Sequence, residues 1–312
     1  MENTKEKNFA SAVVYVHNEE DRIVNFLENI QRILSNNFLK YEIICVDDFS
    51  TDNSVEKIKK LADNIDGSVV SILHMSYYQG LELSMNAGVD LSIGDFVFEF
   101  DKVYDDYSEE IVMQVYEQAL KGYDIVNAIP ANKHYFVSDS FYKLFNRYSK
   151  TQYKIQRESF RILSRRAINR VHSMSIRIPF RKAMYANCGL KVYNIDYISE
   201  AFEKKPSKIE KEVKSDIAMD SLILFTDVAS KFTFFMSALM ILISIFTAAY
   251  VLFVFVQKNP IEGWTTTMLF MSVSFFGVFS VLTIIIKYLS LMMNLIFTKQ
   301  KYNFESIEKI SK

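Results

Sequence analysis

Short apolar runs and periodic segments alternate along the N-terminal part of the chain. Each of four apolar runs ends in polar residues, a pattern that predicts buried strands. The runs occupy residues 9–16, 41–46, 69–74 and 95–100. Between them, apolar residues recur at three- and four-residue spacing, as at Ile23, Phe26 and Ile30, which predicts helices that pack by one face. Strands that alternate with helices predict an α/β fold, a mostly parallel sheet with helices on both faces.

The last third of the chain has a different pattern. Residues 232–256 and 264–286 contain no charged side chain and are rich in Phe, Leu, Ile and Val. A bilayer core of about 30 Å is crossed by about 20 apolar helical residues, so both runs predict transmembrane helices. The connector at 257–263 is short, so the two helices are expected to form a hairpin whose flanks face the same side of the membrane.

Positive charges around this hairpin predict its orientation. Lys231 precedes it and Lys287, Lys299 and Lys301 follow it, whereas the connector offers only Lys258. Because positively charged flanks stay in the cytoplasm, we expect a multi-pass protein of the cell membrane with both termini cytoplasmic. The apolar start of the tail predicts that it extends the second helix or lies on the membrane surface.

These boundaries predict four parts of the chain. A cytosolic domain covers residues 1–200, a juxtamembrane linker 201–231, the hairpin 232–286 and a cytosolic tail 287–312. The polar N-terminus predicts no secretory signal, and two cysteines far apart in sequence indicate no disulfide framework. The net charge of −1 provides no field that would attract nucleic acid.

Polar clusters follow three of the predicted strands. They comprise His17, Asn18 and Glu19 after the first strand, Asp47 and Asp48 after the second, and Asp101 after the fourth. Ligands of mostly parallel sheets bind beyond the carboxyl ends of the strands, so these clusters are candidates for a binding site. The alternative for Asp47 and Asp52 is turn and helix-capping chemistry, which we favour for Asp52 only.

The residues around these clusters resemble a known family. Residues 14–20 are similar to the opening strand and Asn-Glu-Glu turn of inverting family 2 glycosyltransferases of the GT-A fold. Residues 44–54 are similar to their VDDGSTD segment, with Phe49 in place of the usual glycine. Residues 94–101 resemble the strand that leads into their Asp-x-Asp metal motif. The C-terminal hairpin and residues 159–166 narrow the resemblance to polyprenyl-phosphate glycosyltransferases, relatives of dolichol-phosphate mannosyltransferase.

The resemblance implies a function and a set of site residues. A membrane-bound hexosyltransferase of this kind moves a sugar from a UDP- or GDP-linked donor to polyprenyl phosphate on the cytosolic face, as part of cell-envelope synthesis. Asp101 is implied as the catalytic residue and as the ligand of Mg²⁺ or Mn²⁺. The residues implied in binding the donor or cofactor are Asn18, Glu19, Asp47, Asp48, Ser50, Asp101, Arg161 and Arg165.

One departure from the family pattern bears on activity. Val103 occupies the position of the second metal carboxylate, and Asp105 or Asp106 is an alternative source of an oxygen. We therefore expect metal to bind weakly without the donor, and Val103→Asp to raise metal affinity. The alternative to an active enzyme is a non-catalytic relative that acts as a binding or scaffold partner. Whether the chain forms a homo-oligomer stays open.

Arginines and lysines concentrate in residues 157–182. If this stretch is helical, Arg161 and Arg165 share one face. The cluster indicates either an interfacial or lipid-phosphate site or a purely solvated basic face, and the sequence leaves both open.

Overall fold

The computed structural model describes most of the N-terminal part of the chain and two later segments. The described residues are 5–63, 69–104, 107–132, 136–149, 151–174, 180–199, scattered positions between 215 and 246, 263–297 and 302–310. The chain divides into two compact units. The first comprises residues 1–146, 151–217 and 299–312, and the second comprises 147–150 and 218–298.

The first unit is built on a mixed sheet of eight strands among the described residues. The strands are β1 (Glu6–Val16), β2 (Phe38–Asp47), β3 (Val69–Met75), β4 (Phe96–Phe100), β5 (Ile125–Pro130), β6 (Phe160–Ser164), β7 (Val192–Tyr197) and β8 (Phe304–Ile310). Their order is β7-β5-β6-β4-β1-β2-β3-β8. The block β4-β1-β2-β3 is parallel, as is the β5–β7 pair, whereas β6 and β8 run antiparallel to their neighbours.

Helices connect the strands and cover both faces of the sheet. They are α1 (Ile23–Asn37), α2 (Ser54–Ala62), α3 (Leu81–Leu91), α4 (Glu109–Leu120), α5 (Phe136–Tyr148), α6 (Arg165–Ser173) and α7 (Arg181–Asn187). Val14 of β1 lies in an apolar core with residues of α1 and α4, whereas its neighbour Val13 lies in a second core with residues of α3 and α6. Successive strand residues point to opposite faces, so a strand between two helical layers is apolar throughout. The predicted α/β fold and its first four strands are confirmed.

Helix α3 approaches the sheet at Gly88. A Cβ atom at this position would lie 2.5 Å from Val46 Cγ2, so the close contact between α3 and the sheet depends on glycine. This packing fixes the start of α3 near the carboxyl ends of β1 and β2, where the candidate site lies.

The second unit contains the long helix α8 (Trp264–Phe297), which covers the second predicted apolar helix and continues beyond it. Among the residues that the structure describes, no helix is both long enough and apolar enough to cross a membrane. Residues 232–256 are described only in part, and residues 257–262 lie outside the described residues, as does 201–214. The transmembrane hairpin therefore stays a prediction.

The C-terminal tail contributes to the first unit. Residues 304–310 form β8, which pairs antiparallel with β3 at the edge of the sheet. The sequence predicts that the tail extends the second helix or lies on a membrane surface. Helix α8 does continue to Phe297, but the strand that follows was not predicted.

Candidate functional site

The carboxyl ends of β1, β2 and β4 lie side by side at one edge of the sheet. Val16 pairs with Asp47 across β1 and β2, and Val14 pairs with Phe100 across β1 and β4. The residues that follow these strand ends are therefore neighbours, as the sequence predicts.

Hydrogen bonds join the loop after β1 to the loop after β2. The Asn18 backbone N–H donates to Ser50 Oγ at 3.1 Å, and Asn18 Oδ1 accepts from the Thr51 N–H at 2.8 Å. The Glu19 N–H donates to Ser54 Oγ at 2.9 Å. Asn18 and Phe49 both have left-handed backbones, with φ of 54° and 60°. Phe49 thus adopts the conformation for which the family's glycine is suited, and half of its side chain is exposed.

Asp47 is held between a backbone amide and a histidine. Its Oδ1 accepts from the Ser50 N–H at 3.0 Å, and its Oδ2 lies 3.2 Å from Nδ1 of His74 at the end of β3. The hydrogen bond to Asp47 raises the pKa of His74 despite partial burial, and Glu308 of β8 contributes in the same direction. Asp47 is buried but keeps lone pairs on both oxygens for a ligand.

Asp48 is fully buried and accepts three hydrogen bonds from the protein itself. The donors are the Tyr15 hydroxyl, the Gln79 N–H and the Gly80 N–H, each at 2.8 Å. Gly80 has a positive φ of 83° and precedes α3. Asp48 therefore fixes the loop at 76–80 and the start of α3, both of which lie beside the candidate site.

Replacing Asp48 with alanine is expected to weaken nucleotide binding because loop 76–80 loses its anchor. The sequence alone suggests that the fold survives this change intact. Burial adds a cost, since three donors lose their acceptor, and we expect the free energy of unfolding to fall by about 1–3 kcal/mol. Nucleotide titration and denaturant unfolding measure the two effects. Asp63→Ala, at the exposed end of α2, is the control, and equal nucleotide affinity in both variants would contradict the expectation.

Asp101 is bound by two buried arginines. Its Oδ1 accepts from Arg181 Nη2 at 2.6 Å and its Oδ2 from Arg161 Nη2 at 3.0 Å. Burial alone would raise the pKa of Asp101, but the charges of Arg181 and Arg161 outweigh it and hold the pKa well below its usual range. The carboxylate is consequently ionised and fixed in place, which is the state that the sequence-based role requires.

The two arginines belong to a larger buried ionic cluster. Glu99, two residues before Asp101, lies 3.2 Å from Arg161 and 3.0 Å from Arg181. It also accepts a hydrogen bond from the Tyr185 hydroxyl at 2.7 Å. The other ion pairs are Glu158–Arg161 at 2.8 Å, Glu158–Lys182 at 3.0 Å and Glu82–Arg181 at 3.2 Å. The cluster thus contains one more carboxylate than cations, so its arginines are neutralised within the protein.

Arg165 lies near the amino end of β4, at the opposite end of the strand from the candidate site. Its Nε and Nη2 donate to the carbonyl of Gly94, which precedes β4, at 2.9 and 2.6 Å. The structure therefore does not bring Arg165 together with Asp47, Asp48 and Asp101, and its part in donor binding stays a prediction. The reason is that Arg161 lies in β6 and Arg165 starts α6, so the two residues do not share the face of one helix.

The described residues around Asp101 do not form a metal centre by themselves. Val103 is buried in the apolar core, and Asp105 and Asp106 lie outside the described residues. Both oxygens of Asp101 already accept from arginine. In the described part of the chain, no group of three His, Cys, Asp or Glu residues is arranged to hold a metal ion. Because Val103 points into the core, Val103→Asp would bury a charge, and we no longer expect it to raise metal affinity.

Sequence reasoning missed several members of the site. It assigned no role to Glu82 or His74, and it did not predict that Glu99 and Arg181 form buried ion pairs. A usable signal exists for Glu99, since a single carboxylate within the apolar strand 96–100 must be buried and must therefore find a cationic partner. The partners themselves lie far away in sequence.

Comparisons with known proteins agree with this geometry. A sequence profile of Glycosyl transferase family 2 matches residues 11–185. An uncharacterized glycosyltransferase of Synechocystis sp. is 24% identical over 249 residues, which cover 78% of this chain and 77% of that protein. The undecaprenyl-phosphate 4-deoxy-4-formamido-L-arabinose transferase of Edwardsiella ictaluri is 33% identical over 129 residues, 41% of this chain and 39% of that one.

A solved structure shares the fold. The mannosyltransferase of Pyrobaculum calidifontis, determined with GDP-Man and Mn²⁺, superposes with a TM-score of 0.50 at 13% identity and covers 95% of this chain and 89% of its own. The profile match extends over more than half of the chain and includes the carboxyl ends of β1, β2 and β4. The chain therefore belongs to glycosyl transferase family 2 and is a glycosyltransferase with a GT-A-like sheet.

Proposed function

We propose that this glycosyltransferase transfers a hexose from a UDP- or GDP-linked donor to polyprenyl phosphate at the cytosolic face of a membrane, with inversion at the anomeric carbon. The proposal depends chiefly on the carboxyl ends of β1, β2 and β4. Hydrogen bonds join the loops after β1 and β2 there, and the ionised Asp101 follows β4 at the same end of the sheet. The undecaprenyl-phosphate transferase among the relatives and the GDP-Man complex among the solved structures support the choice of acceptor and donor.

The reaction needs little acid–base chemistry from the protein. The acceptor is a phosphate oxygen that is already anionic, and it forms a bond to the anomeric carbon while the bond from that carbon to the donor diphosphate breaks. The nucleoside diphosphate leaves with the electron pair. Catalysis of such a step consists of positioning the two substrates and stabilising charge in a preorganised site.

Each group at the strand ends has a defined task in this proposal. Asp47 and the Asn18–Ser50 link hold the nucleoside, because carboxylate and hydroxyl oxygens accept from ribose hydroxyls and base amides. Asp101 presents a fixed negative oxygen to the hydroxyl groups of the sugar. Arg161 and Arg181 are almost completely buried beneath Asp101, so they orient this carboxylate and do not themselves contact the donor.

Activity measured with defined substrates tests the proposal. Purified protein in detergent is incubated with undecaprenyl phosphate and, separately, with UDP-glucose, UDP-galactose, GDP-mannose and similar donors. Lipid extracts are then analysed by mass spectrometry for a glycosyl phospholipid. We expect one donor to give product that depends on the lipid. Nucleotide binding without transfer to any lipid phosphate would contradict this acceptor, and absence of nucleotide binding would contradict the donor site.

A divalent cation is expected to bind only together with the donor. Asp101 alone provides too few oxygens for Mg²⁺ or Mn²⁺, because Val103 lies in the apolar core and has no oxygen in its side chain. The cation therefore needs further ligands, such as the oxygens of a diphosphate. Calorimetric titration with Mn²⁺ should show no binding to the free protein and clear binding in the presence of UDP or GDP. Tight Mn²⁺ binding without nucleotide would mean that Asp105 or Asp106 completes a centre.

The membrane topology is proposed to be a hairpin with both flanks cytoplasmic. The asymmetry of the lysines supports it, and so does the tail, because β8 pairs within the same unit as β1–β7. A chain that leaves this unit and returns to it crosses a membrane an even number of times.

Cysteine labelling in intact cells checks this topology. With Cys45 and Cys188 replaced by alanine, a cysteine introduced at Asn259 is expected to react with an impermeant maleimide added outside. The matched control is Lys121→Cys, an exposed position at the end of α4, which should react only after permeabilisation. Labelling of Asn259→Cys only after permeabilisation would contradict the orientation.

A further inference from the structure

The C-terminal tail contacts the candidate donor site through two separate routes. One route leads from Glu308 of β8 through His74 to Asp47. The other leads from Asn303 through Gln79 to Asp48. We infer that residues 302–310 position the donor-binding acids, so that the site is complete only when this tail segment is docked. The inference rests on the donor site proposed above and concerns positioning residues, since none of them is placed against the donor.

The first route is a carboxylate–imidazole–carboxylate arrangement. His74 Nδ1 lies 3.2 Å from Asp47 Oδ2, and His74 Nε2 lies 3.6 Å from Glu308 Oε2. Glu308 is also paired with Lys59 of α2 at 2.7 Å. The charged groups that face His74 are therefore Asp47 from β2 and Glu308 from β8, with Lys59 behind Glu308. A protonated imidazole donates from Nδ1 to Asp47 and forms an ion pair with Glu308, so its charge links the two carboxylates.

The second route holds the loop that Asp48 anchors from the other side. The Asn303 N–H donates to Gln79 Oε1 at 3.0 Å, and Gln79 Nε2 donates back to the Asn303 carbonyl, which also accepts from the Ser76 N–H at 3.3 Å. Gln79 in turn donates its backbone N–H to Asp48. Loop 76–80 is thus clamped between the tail and the carboxylate at the end of β2.

A third contact fixes the start of the tail segment. The Tyr302 hydroxyl donates to Asp90 Oδ2 of α3 at 3.0 Å, and the next residues enter β8. Because α3 begins at loop 76–80, the tail contacts this loop and its helix as well as the edge strand. If the docked tail favours the donor through this loop and helix, a bound donor must favour docking of the tail to the same extent, because coupling between two binding sites is reciprocal.

Substitutions in the full-length protein test this coupling. Glu308→Gln and His74→Gln are expected to raise KM for the donor about fivefold or more, the lower range of allosteric couplings, while kcat changes little. Glu305→Gln, an exposed residue of the same strand, is the matched control and should leave KM unchanged. A purely structural role would lower the amount of active enzyme and so reduce kcat with KM unaltered.

The pH dependence provides a second readout. The hydrogen bond to Asp47 raises the pKa of His74, so the bridge is present below that pKa and is lost as pH rises through it. Donor KM of the wild type should therefore increase with pH over this range, and the His74→Gln variant should lack this increase. A wild-type profile identical to that of His74→Gln would overturn the first route.

Hydrogen exchange distinguishes failure of the inference from failure of the proposed function. Amide exchange in loop 76–80 is compared between wild type, Gln79→Ala and Glu305→Gln without any nucleotide, because the Gln79 side chain makes two hydrogen bonds to the Asn303 backbone. Faster exchange in Gln79→Ala alone supports positioning by the tail even if the wild type binds no donor. Unchanged exchange, or unchanged donor KM in an active protein that carries Glu308→Gln, overturns the inference.

Discussion

Replacing Arg161 with methionine is expected to lower the free energy of unfolding by about 3–5 kcal/mol, the cost of removing one partner from a buried ion pair. Arg161 is fully buried and contacts the carboxylates of Glu99, Asp101 and Glu158 at 3.2, 3.0 and 2.8 Å. Methionine fills similar space but leaves these three acids with less compensating charge in a region of low dielectric. Denaturant unfolding of the purified protein, followed by circular dichroism, measures the loss.

Arg170→Met is the matched control for this experiment. Arg170 lies on α6, a few residues after Arg161, but it is exposed, and surface substitutions of this kind usually change stability by about 0.5 kcal/mol or less. If Arg161→Met and Arg170→Met unfolded at the same denaturant concentration, the acids of the cluster would have to be protonated or solvated in the folded protein. The buried ionic cluster would then not be a stabilising feature.

The amino-terminal strands of this fold were predictable because each is a self-contained signal. A strand buried between two helical layers is apolar on both faces, and its polar ending is visible in the same few residues. The runs at 9–16 and 41–46 therefore predicted the central parallel pair, and the polar residues after them predicted the edge of the candidate site. Local pattern and tertiary environment agree in this part of the chain.

Strand β6 shows why the rest was less predictable. Residues 160–164 contain an arginine amid apolar residues, and its spacing to Arg165 is compatible with a helix. The strand is specified by its antiparallel partner β4, where Glu99 pairs directly with Arg161. A cross-strand ion pair between residues so far apart in sequence leaves no periodic trace in either segment.

Strand β8 had a misleading pattern of its own. Its apolar residues, Phe304, Ile307 and Ile310, are three apart, which is closer to a helical period than to the alternation of a strand. Edge strands are exposed and bury few side chains, so alternation is weak in them. The contacts of Glu308 with His74 and Lys59 exist only because β8 docks on β3, and no local feature of the tail indicates that docking.

Replacing Asp101 with asparagine is expected to reduce kcat about 100-fold or more, as removal of a preorganised charge-stabilising group from an active site does. Asp101 is the carboxylate at the end of β4, and the guanidinium groups of Arg161 and Arg181 fix both of its oxygens. Asparagine has nearly the same shape but offers one acceptor oxygen, and its NH₂ group then faces a second donor. Sugar transfer to undecaprenyl phosphate, measured at saturating donor, gives kcat directly.

The control for Asp101→Asn is Asp95→Asn in the same segment of chain. Asp95 accepts from the Phe9 N–H at 2.9 Å at the amino end of β4, on the opposite edge of the sheet, and it is exposed. Loss of a hydrogen bond there should leave kcat nearly unchanged, so a difference between the two variants reports on the position of the carboxylate. Because the pKa of Asp101 lies well below its usual range, the wild-type carboxylate stays ionised throughout the neutral range, and titration of Asp101 should not change the wild-type kcat there. Equal kcat in both variants would mean that Asp101 serves only to neutralise Arg161 and Arg181, and the group that stabilises the transition state would then have to lie in another loop of the same edge.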